Sequence, residues 1–476
     1  MTAGRPALLR GALESLRRHC DEHRRAPRVI VVDGSRHEPD RLATKAAVAV
    51  VAASGTPGIR YVGPDEADAM RAELVAHGGP DLPLRPGGAG ANRNLLLLLT
   101  AGERLLMMDD DVVCETWASE DSHEGLAVMG HHGELIRTTF AETRAAAFAA
   151  APRAPIDLLG AHEALLGRAL QDLIADSRQP VDETWACAHM RRGVAGATAH
   201  TVRVTMTGVA GDAGTYCPHR LLLASDPLRA QLCAAGDTFA AAMNSREVVR
   251  SARARVLTHH PGCMTMCAGV DNERLLPPFL PRGRNEDGVF GAMLSMAAPE
   301  TLFGHLPVGI FHDSPRPSAR DAAARLSARE TRLADLIVPL AASVSGQAGA
   351  PDAWLHEVGV VLSDLGRRPD DALAVIVEDV IRAHRTRELA HVDGLCRSRA
   401  WPAYYQAALE SYRDALSAGL ERPAFFLPIE FHHDGPLSIG YQALGRTLAA
   451  FGALLRAWPA LWEAAATVRR SQTDPA

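Results

Sequence analysis

Residues 102–112 read Gly-Glu-Arg-Leu-Leu-Met-Met-Asp-Asp-Asp-Val, a short apolar run that ends in three consecutive aspartates. The apolar part, Arg104–Met108, predicts a buried strand, and the leucine-rich stretch before it, Asn92–Thr100, predicts a helix. Open α/β sheets bind ligands beyond the carboxyl ends of their strands. The stretch therefore predicts an α/β fold with a candidate site at the acidic triplet.

The triplet itself predicts a site for a cation. Three neighbouring carboxylates repel one another, so a buried strand ends in them only where a cation or helix terminus offsets the charge. In an extended chain Asp109 and Asp111 face one side and Asp110 faces the other. Two carboxylates on one side suit Mg²⁺ or Mn²⁺, which also bind phosphate oxygens. The simpler interpretation is a solvated acidic turn in which Asp110 caps a helix, but the apolar run before the triplet favours the metal site.

A second α/β unit opens the chain. An early proline and leucines at helical spacing predict an amphipathic helix over residues 6–20. Residues 28–32, Arg-Val-Ile-Val-Val, predict a buried strand that ends in Asp33, Gly34 and Ser35. A helix followed by a buried strand indicates a unit with parallel strands, so Asp33 is also expected at the carboxyl edge of a sheet.

The rest of the chain divides into two predicted regions. Residues 1–315 form the predicted catalytic domain, and residues 316–476 form a mostly helical carboxy-terminal region whose apolar stripes are packing surfaces. Within the first region, residues 115–195 predict a helical insertion. Residues 200–224 have the alternation of a strand, and residues 256–291 are rich in loops.

Composition limits the class of protein. A chain of 476 residues with 47% hydrophobic and 22% charged residues is globular, with two or three domains. It contains no run of about 18 apolar residues and no basic region ahead of an apolar run, so we predict no transmembrane segment and no signal peptide. The net charge of -6 argues against nucleic acid as a partner. The 8 scattered cysteines indicate free thiols, and we expect a cytoplasmic enzyme.

Residues 102–112, with the helix before them, resemble the central sequence motif of the GT-A glycosyltransferases, especially those of the family-2 type. In that family an Arg-Asn helix, here Arg93 and Asn94, precedes the pattern A-x-G-x-x-(apolar)-D-D-D. Residues 31–35, Val-Val-Asp-Gly-Ser, resemble the family's nucleotide-binding strand end, with one aspartate where two are usual. Arg5-Pro6 and the leucines that follow match its first helix. The resemblance covers residues 4–36, 90–113 and 284–313.

The resemblance implies a Rossmann-like mixed sheet with helices on both faces. It also implies an enzyme that moves a sugar from a nucleoside diphosphate sugar, with a UDP-sugar favoured, to a hydroxyl-bearing acceptor. Asp109 and Asp111 would hold Mn²⁺ or Mg²⁺, which bridges the diphosphate leaving group. His312, which ends an apolar strand predicted from residue 308, matches the third metal ligand of many such enzymes.

The resemblance further implies which residues bind the donor. Asp33 matches a residue that hydrogen-bonds the nucleobase, and Gly34 and Ser35 belong to the same strand end. Asp110 matches a residue that contacts the donor ribose or sugar. Arg93 matches a residue near the donor, although a charge on a surface helix explains it equally well.

A second pair of carboxylates supplies the candidate base. Residues 283–291, Gly-Arg-Asn-Glu-Asp-Gly-Val-Phe-Gly, resemble the family's Glu-Asp element at the start of a helix. Inverting transfer needs a base that takes the proton of the acceptor hydroxyl. We assign that role to Asp287, with Glu286 as second choice. The simpler interpretation is ordinary acidic capping of a helix N-terminus.

Two other functions stay open. A nucleotidyltransferase on a similar sheet would need a Gly-rich phosphate loop with Arg and Lys near the start of the chain, and the sequence has none. A degenerate, non-catalytic transferase that serves as a binding module is disfavoured by the intact triplet and the Glu-Asp pair.

GT-A folds begin with a strand ahead of the Arg-Pro helix, whereas this sequence starts at Met1-Thr2-Ala3-Gly4. Either this fold has lost that strand or the natural start lies upstream, and we favour the second explanation. A missing central strand would leave two strand edges and part of the core exposed.

Overall fold

The computed structural model describes residues 1–54, 58–130, 135–214, 218–224, 226–319, 321, 326, 330–344, 350–398 and 401–473. Its strands are β1 Val29–Val32, β2 Ile59–Val62, β3 Arg104–Met108, β4 Val112–Trp117, β5 Leu126–Met129, β6 Ile136–Ala141, β7 Asp182–Trp185, β8 Thr201–Asp212, β9 Glu247–Ala252, β10 Arg255–Thr258, β11 Cys267–Asp271 and β12 Thr301–His312.

The helices fall into two groups, those that precede the last strand, β12, in the chain and those that follow it. The first group is α1 Pro6–His23, α2 Glu38–Ala53, α3 Pro64–Ala76, α4 Ala89–Leu99, α5 Arg144–Ala149, α6 Leu158–Glu163, α7 Leu170–Ala175, α8 Ala188–Val194, α9 Pro218–Leu222, α10 Asp226–Ala234, α11 Gly236–Asn244 and α12 Glu286–Ala297. The second is α13 Leu333–Ser343, α14 Pro351–Gly366, α15 Asp370–Ser398, α16 Ala403–Leu420 and α17 Leu437–Thr473.

The main sheet is mixed and brings three strand ends to one edge. Its strands follow the order β3-β11-β8-β12-β10-β5-β7. β11 is antiparallel to both β3 and β8, so β3 runs parallel to β8, and β8 runs parallel to β12. The carboxyl ends of β3, β8 and β12 therefore meet, and this confirms the predicted α/β fold with a mixed sheet.

The helical carboxy-terminal region is also confirmed, and it supports the loop that leads to the Glu-Asp pair. The indole of Trp458 in α17 donates to the carbonyl of Leu276 at 2.7 Å. The indole of Trp462 donates to Oδ1 of Asn272 at 2.9 Å. Residues of this region and of the sheet belong to one continuous apolar core. The two predicted regions therefore pack as one body around residues 272–285.

The segment of residues 115–195, predicted as a helical insertion, contains strands as well as helices. The segment carries short helices, α5 to α8, but it also supplies β5, β6 and β7 to the sheet. These strands are only four to six residues long, and β7 is largely exposed. Such short pieces carry too little alternation of apolar and polar residues to show a strand in the sequence.

The first residues of the chain fill part of a gap between two strands. Thr2 donates its backbone N–H to Val32 and accepts from Gly34, in a parallel bridge to the end of β1. The amino group of Met1 donates to the carbonyl of Met108 at the end of β3, at 2.8 Å. Burial lowers the pKa of that amino group. Met1 and Thr2 thus lie between β1 and β3 without forming a strand of their own.

Behind Met1 the gap continues as a largely apolar slot of about 430 Å³. Its walls include Val29–Val31 of β1, Leu105–Met108 of β3 and Leu13 of α1. In the part of the chain that the structure describes, β1 is paired with β2 on one edge and with Thr2 alone on the other. The slot therefore lies between an edge of β1 and an edge of β3, which pairs with β11 on its other side.

An amino-terminal extension of four or five β-branched residues is expected to stabilise the fold by filling this slot. Burial of the added side chains, less the entropy of ordering the added backbone, leaves a gain of about 2–5 kcal/mol. Urea unfolding of the extended and original chains measures the difference. An equally long Gly-Ser extension is the control, because it removes the buried amino group without apolar filling. Equal stability of the two extended chains would contradict the expectation.

Candidate functional site

The acidic triplet lies in a tight turn between β3 and β4, with Val112 N–H donating to the carbonyl of Asp109. The expected extended conformation of the triplet is therefore wrong. The side chains of Asp109 and Asp111 nevertheless share one pocket that Asp110 does not line, as expected for alternate residues of an extended chain. This pocket lies at the strand ends, whereas Asp110 lines the slot between β1 and β3, which Asp109 also reaches.

Asp110 is a fully buried carboxylate held by the first residues of the chain. The hydroxyl of Thr2 donates to its Oδ2 at 2.6 Å, and the guanidinium of Arg5 lies 2.6 Å from its Oδ1. Burial raises the pKa of Asp110 to about 6, in spite of the opposing effects of Thr2 and Arg5. Asp110 therefore binds the first residues of the chain, through Thr2 and Arg5, and does not line the pocket.

Asp111 forms an ion pair with a histidine from β12. Nε2 of His312 lies 3.0 Å from its Oδ1, and Arg5 contacts its Oδ2 at 3.0 Å. Burial alone would raise the pKa of Asp111, but His312 and Arg5 outweigh it and lower that pKa to about 2. Nδ1 of His312 contacts the backbone carbonyl of Asp212 at 2.5 Å. A proton on Nδ1 fixes the ring and directs Nε2 at Asp111.

Arg93 joins the triplet to the Glu-Asp pair. Its side chain is only 4% exposed, and it contacts Oδ1 of Asp109 at 3.1 Å and the carboxylate of Glu286. Burial opposes the charge of Arg93, but the neighbouring carboxylates keep its pKa above the ordinary value. A buried cation between two carboxylates fixes the spacing of the two motifs.

The neighbouring Asn94 holds the loop that carries the pair. Its amide donates to the carbonyl of Phe279 at 2.9 Å and accepts from the N–H of the same residue at 2.7 Å. Phe279 stacks on Phe290 of α12 with ring centroids 4.1 Å apart. The two residues of the Arg-Asn dipeptide therefore have different roles. Arg93 contacts carboxylates of both motifs, and Asn94 positions the loop before α12.

The Glu-Asp pair opens α12 as the sequence predicts. Asn285, immediately before it, has φ of 68°, a left-handed conformation that asparagine tolerates better than most residues. Backbone N–H groups of Gly288 and Thr265 donate to the carboxylate of Asp287. Burial and the charge of Glu286 together raise the pKa of Asp287 to about 6. A carboxylate with this pKa is a better proton acceptor near neutral pH than an ordinary aspartate.

The strand end at Asp33 is buried outside the lining of the pocket. Asp33 is completely buried, and it accepts from the N–H of Ser35 at 2.9 Å and from the hydroxyl of Tyr61 at 3.0 Å. Gly34 packs so closely that a Cβ there would lie 2.4 Å from the carbonyl of Gly87. None of the three residues at this strand end lines the pocket, so their contact with a donor stays a prediction.

The remaining predicted residues share one pocket of about 190 Å³. It brings together Arg93, Asp109, Asp111, Glu286, Asp287 and His312 from four separate stretches of sequence. Sequence reasoning missed Arg5, Asn285 and Arg316, which line the same pocket. Arg5 stands next to the recognised proline of α1, but nothing in the sequence shows that it reaches the triplet.

The donor atoms of the pocket suit a hard divalent cation. Asp109, Asp111 and His312 offer carboxylate oxygens and one imidazole nitrogen, a set that Mn²⁺ and Mg²⁺ accept. Among the described residues, however, no three His, Cys, Asp or Glu side chains are already arranged around one point. In this arrangement Arg93 pairs with Asp109, and Arg5 and His312 pair with Asp111. A metal would have to displace the two guanidinium groups and take the place of the proton between His312 and Asp111.

Searches among protein-family models, curated proteins and solved structures find no match for this chain. No helix in the described ranges has the length and apolar content needed to cross a membrane.

Replacing Asp110 with asparagine is expected to make the protein relatively more stable as the pH rises. The raised pKa of Asp110 means that the folded wild type loses stability as the pH climbs from about 4 to about 6, whereas asparagine does not titrate. The advantage of Asp110→Asn should therefore grow by about 2 kcal/mol between about pH 4.5 and about pH 7.5. Urea unfolding at both pH values measures it.

The exposed residue Asp172 in α7 provides the matched control. Asp172→Asn should show little change in relative stability over the same pH range. An advantage of Asp110→Asn that stays constant or falls with pH would contradict the burial of an ionisable carboxyl at this position.

Proposed function

We propose that this protein is a GT-A glycosyltransferase that transfers a sugar from a nucleoside diphosphate sugar to an acceptor hydroxyl. The observation that carries the proposal is the convergence of two separate carboxylate motifs on one pocket, with Arg93 between them. One motif suits a metal-bound diphosphate, and the other offers a base. The alternatives are a nucleotidyltransferase on a similar sheet and a non-catalytic binding module.

Asp287 is the proposed base for an inverting transfer. Its raised pKa of about 6 lets it accept a proton from an acceptor hydroxyl near neutral pH while remaining ionised before the reaction. Glu286 is paired with Arg93 and only 12% exposed, so it is the less available carboxylate. Arg93 then acts by holding Glu286 and Asp109 in place.

Asp109, Asp111 and His312 are the proposed holders of Mn²⁺ or Mg²⁺. A metal bound there would neutralise charge on the departing diphosphate. The side chain of Asp109 is 30% exposed and reachable from solvent. Arg5 contacts both Asp110 and Asp111, so it can offset the charge of the triplet when no cation is bound.

A nucleoside diphosphate is expected to stabilise the protein in a metal-dependent way. A ligand that binds only the folded state at about a hundredfold excess over its Kd adds about 2.7 kcal/mol. Thermal unfolding with UDP, GDP, CDP and dTDP, each with and without Mn²⁺, measures the effect. Asp111→Asn should abolish the shift, whereas Asp313→Asn, a half-exposed neighbour of the β12 end, should keep it. A shift that survives in Asp111→Asn would contradict the metal assignment.

Turnover is expected to fall on the acid side of about pH 6, because protonated Asp287 accepts no proton. Asp287→Asn should lower kcat by about 10²–10⁴-fold while nucleotide binding persists. Asp110 has a similar pKa, so Thr2→Val serves as the control. That variant removes a hydrogen bond from Asp110 and should leave the acid limb in place. An acid limb that moves with Thr2→Val would assign it to Asp110 instead.

A further inference from the structure

Asp287 stands at the junction of two cavities of unequal size. The small pocket of about 190 Å³ opens beside a cleft of about 1,180 Å³. Asn285, Asp287 and Met264 line both. The cleft is larger than the pockets that usually hold a single small molecule. It therefore has room for an extended ligand with one end beside Asp287.

The two walls of the cleft come from different regions of the chain. One wall includes residues of β6, β9, α9 and α10, and the other includes residues of α13 and α15. The helical region therefore has a second use besides packing, because it completes a cleft that leads to the proposed base.

Arginine is the charge that dominates this cleft. The carboxylates in its lining are Asp287, Asp335 and Glu388, and the arginines are Arg137, Arg220, Arg250, Arg385 and Arg387. Fully buried Arg385 contacts Asp335 at 2.5 Å and Glu388 at 2.6 Å. Those two carboxylates are therefore already engaged by a cation within the wall.

Two arginines on opposite walls keep their charge available. Arg220 of α9 and Arg387 of α15 are exposed, and neither forms an ion pair with any residue in the described part of the chain. The ring of His219 stacks on Tyr412, whose hydroxyl contacts Glu388. Because His219 precedes Arg220 and Glu388 follows Arg387, Tyr412 joins the segments of α9 and α15 that carry the two arginines, and both arginines line the cleft.

We propose that the cleft binds the acceptor and selects acceptors that carry a phosphate or carboxylate group, an inference that rests on the transferase function proposed above. The planar guanidinium group matches both oxyanions in a two-point contact. Arg220 and Arg387 hold the acidic group of the acceptor, and the remainder of the acceptor extends along the cleft to place a hydroxyl at Asp287.

Calorimetric titration in metal-free buffer tests this selection with three probes. Inositol hexakisphosphate represents phosphate, trigalacturonate represents carboxylate, and maltotriose is the neutral control. The wild type should bind at least one acidic probe more tightly than maltotriose, with weaker binding at high salt. Arg220→Gln/Arg387→Gln should weaken that binding about tenfold or more. Arg397→Gln, an exposed arginine on the same helix as Arg387 and outside the cleft, should leave it unchanged.

The outcomes separate this inference from the transferase proposal. Equal binding of the acidic probes by the double variant and the wild type, or no binding of either acidic probe, would overturn the acidic selection. The double variant should retain the Mn²⁺-dependent thermal shift with nucleotide, because Arg220 and Arg387 lie outside the small pocket. Loss of acidic binding in the double variant, with no nucleotide shift in any protein, would support the anion site and overturn the transferase.

Discussion

The buried guanidinium of Arg93 holds the candidate site together. It contacts Asp109 at the end of β3 and Glu286 at the start of α12, two residues far apart in sequence. Without this cation the carboxylates of both motifs would repel one another across a small pocket. The mixed sheet, the loop before α12 and the helical region that supports that loop all act to keep Arg93 in this position.

The other carboxylates of the triplet are also paired with positively charged groups. Arg5 and His312 offset Asp111, whereas Asp110 stays buried with a raised pKa. A fold under no functional demand would gain by replacing such a carboxylate with a neutral group. The protein therefore keeps an electrostatic cost at Asp110, where Thr2 and Arg5 offset it only in part.

Sequence reasoning predicted the strand and helix of the opening stretch, because apolar runs and helical spacing are local signals. It also selected six residues that line one pocket, Asp109 and Asp111 from the acidic triplet itself and Arg93, Glu286, Asp287 and His312 through the family resemblance. It did not predict the turn at the triplet or the strands within residues 115–195. It also missed the contact of Arg5 with Asp110 and Asp111. Those features depend on pairing between distant segments, which no local pattern of residues records.

The most direct test of the central claim identifies what the protein releases from a panel of nucleoside diphosphate sugars in the presence of Mn²⁺. Even without its acceptor, a glycosyltransferase transfers the sugar slowly to water. We predict metal-dependent release of a nucleoside diphosphate and a free sugar from one donor of the panel. Release of a nucleoside monophosphate or pyrophosphate, or no release from any donor by the folded protein, would contradict it.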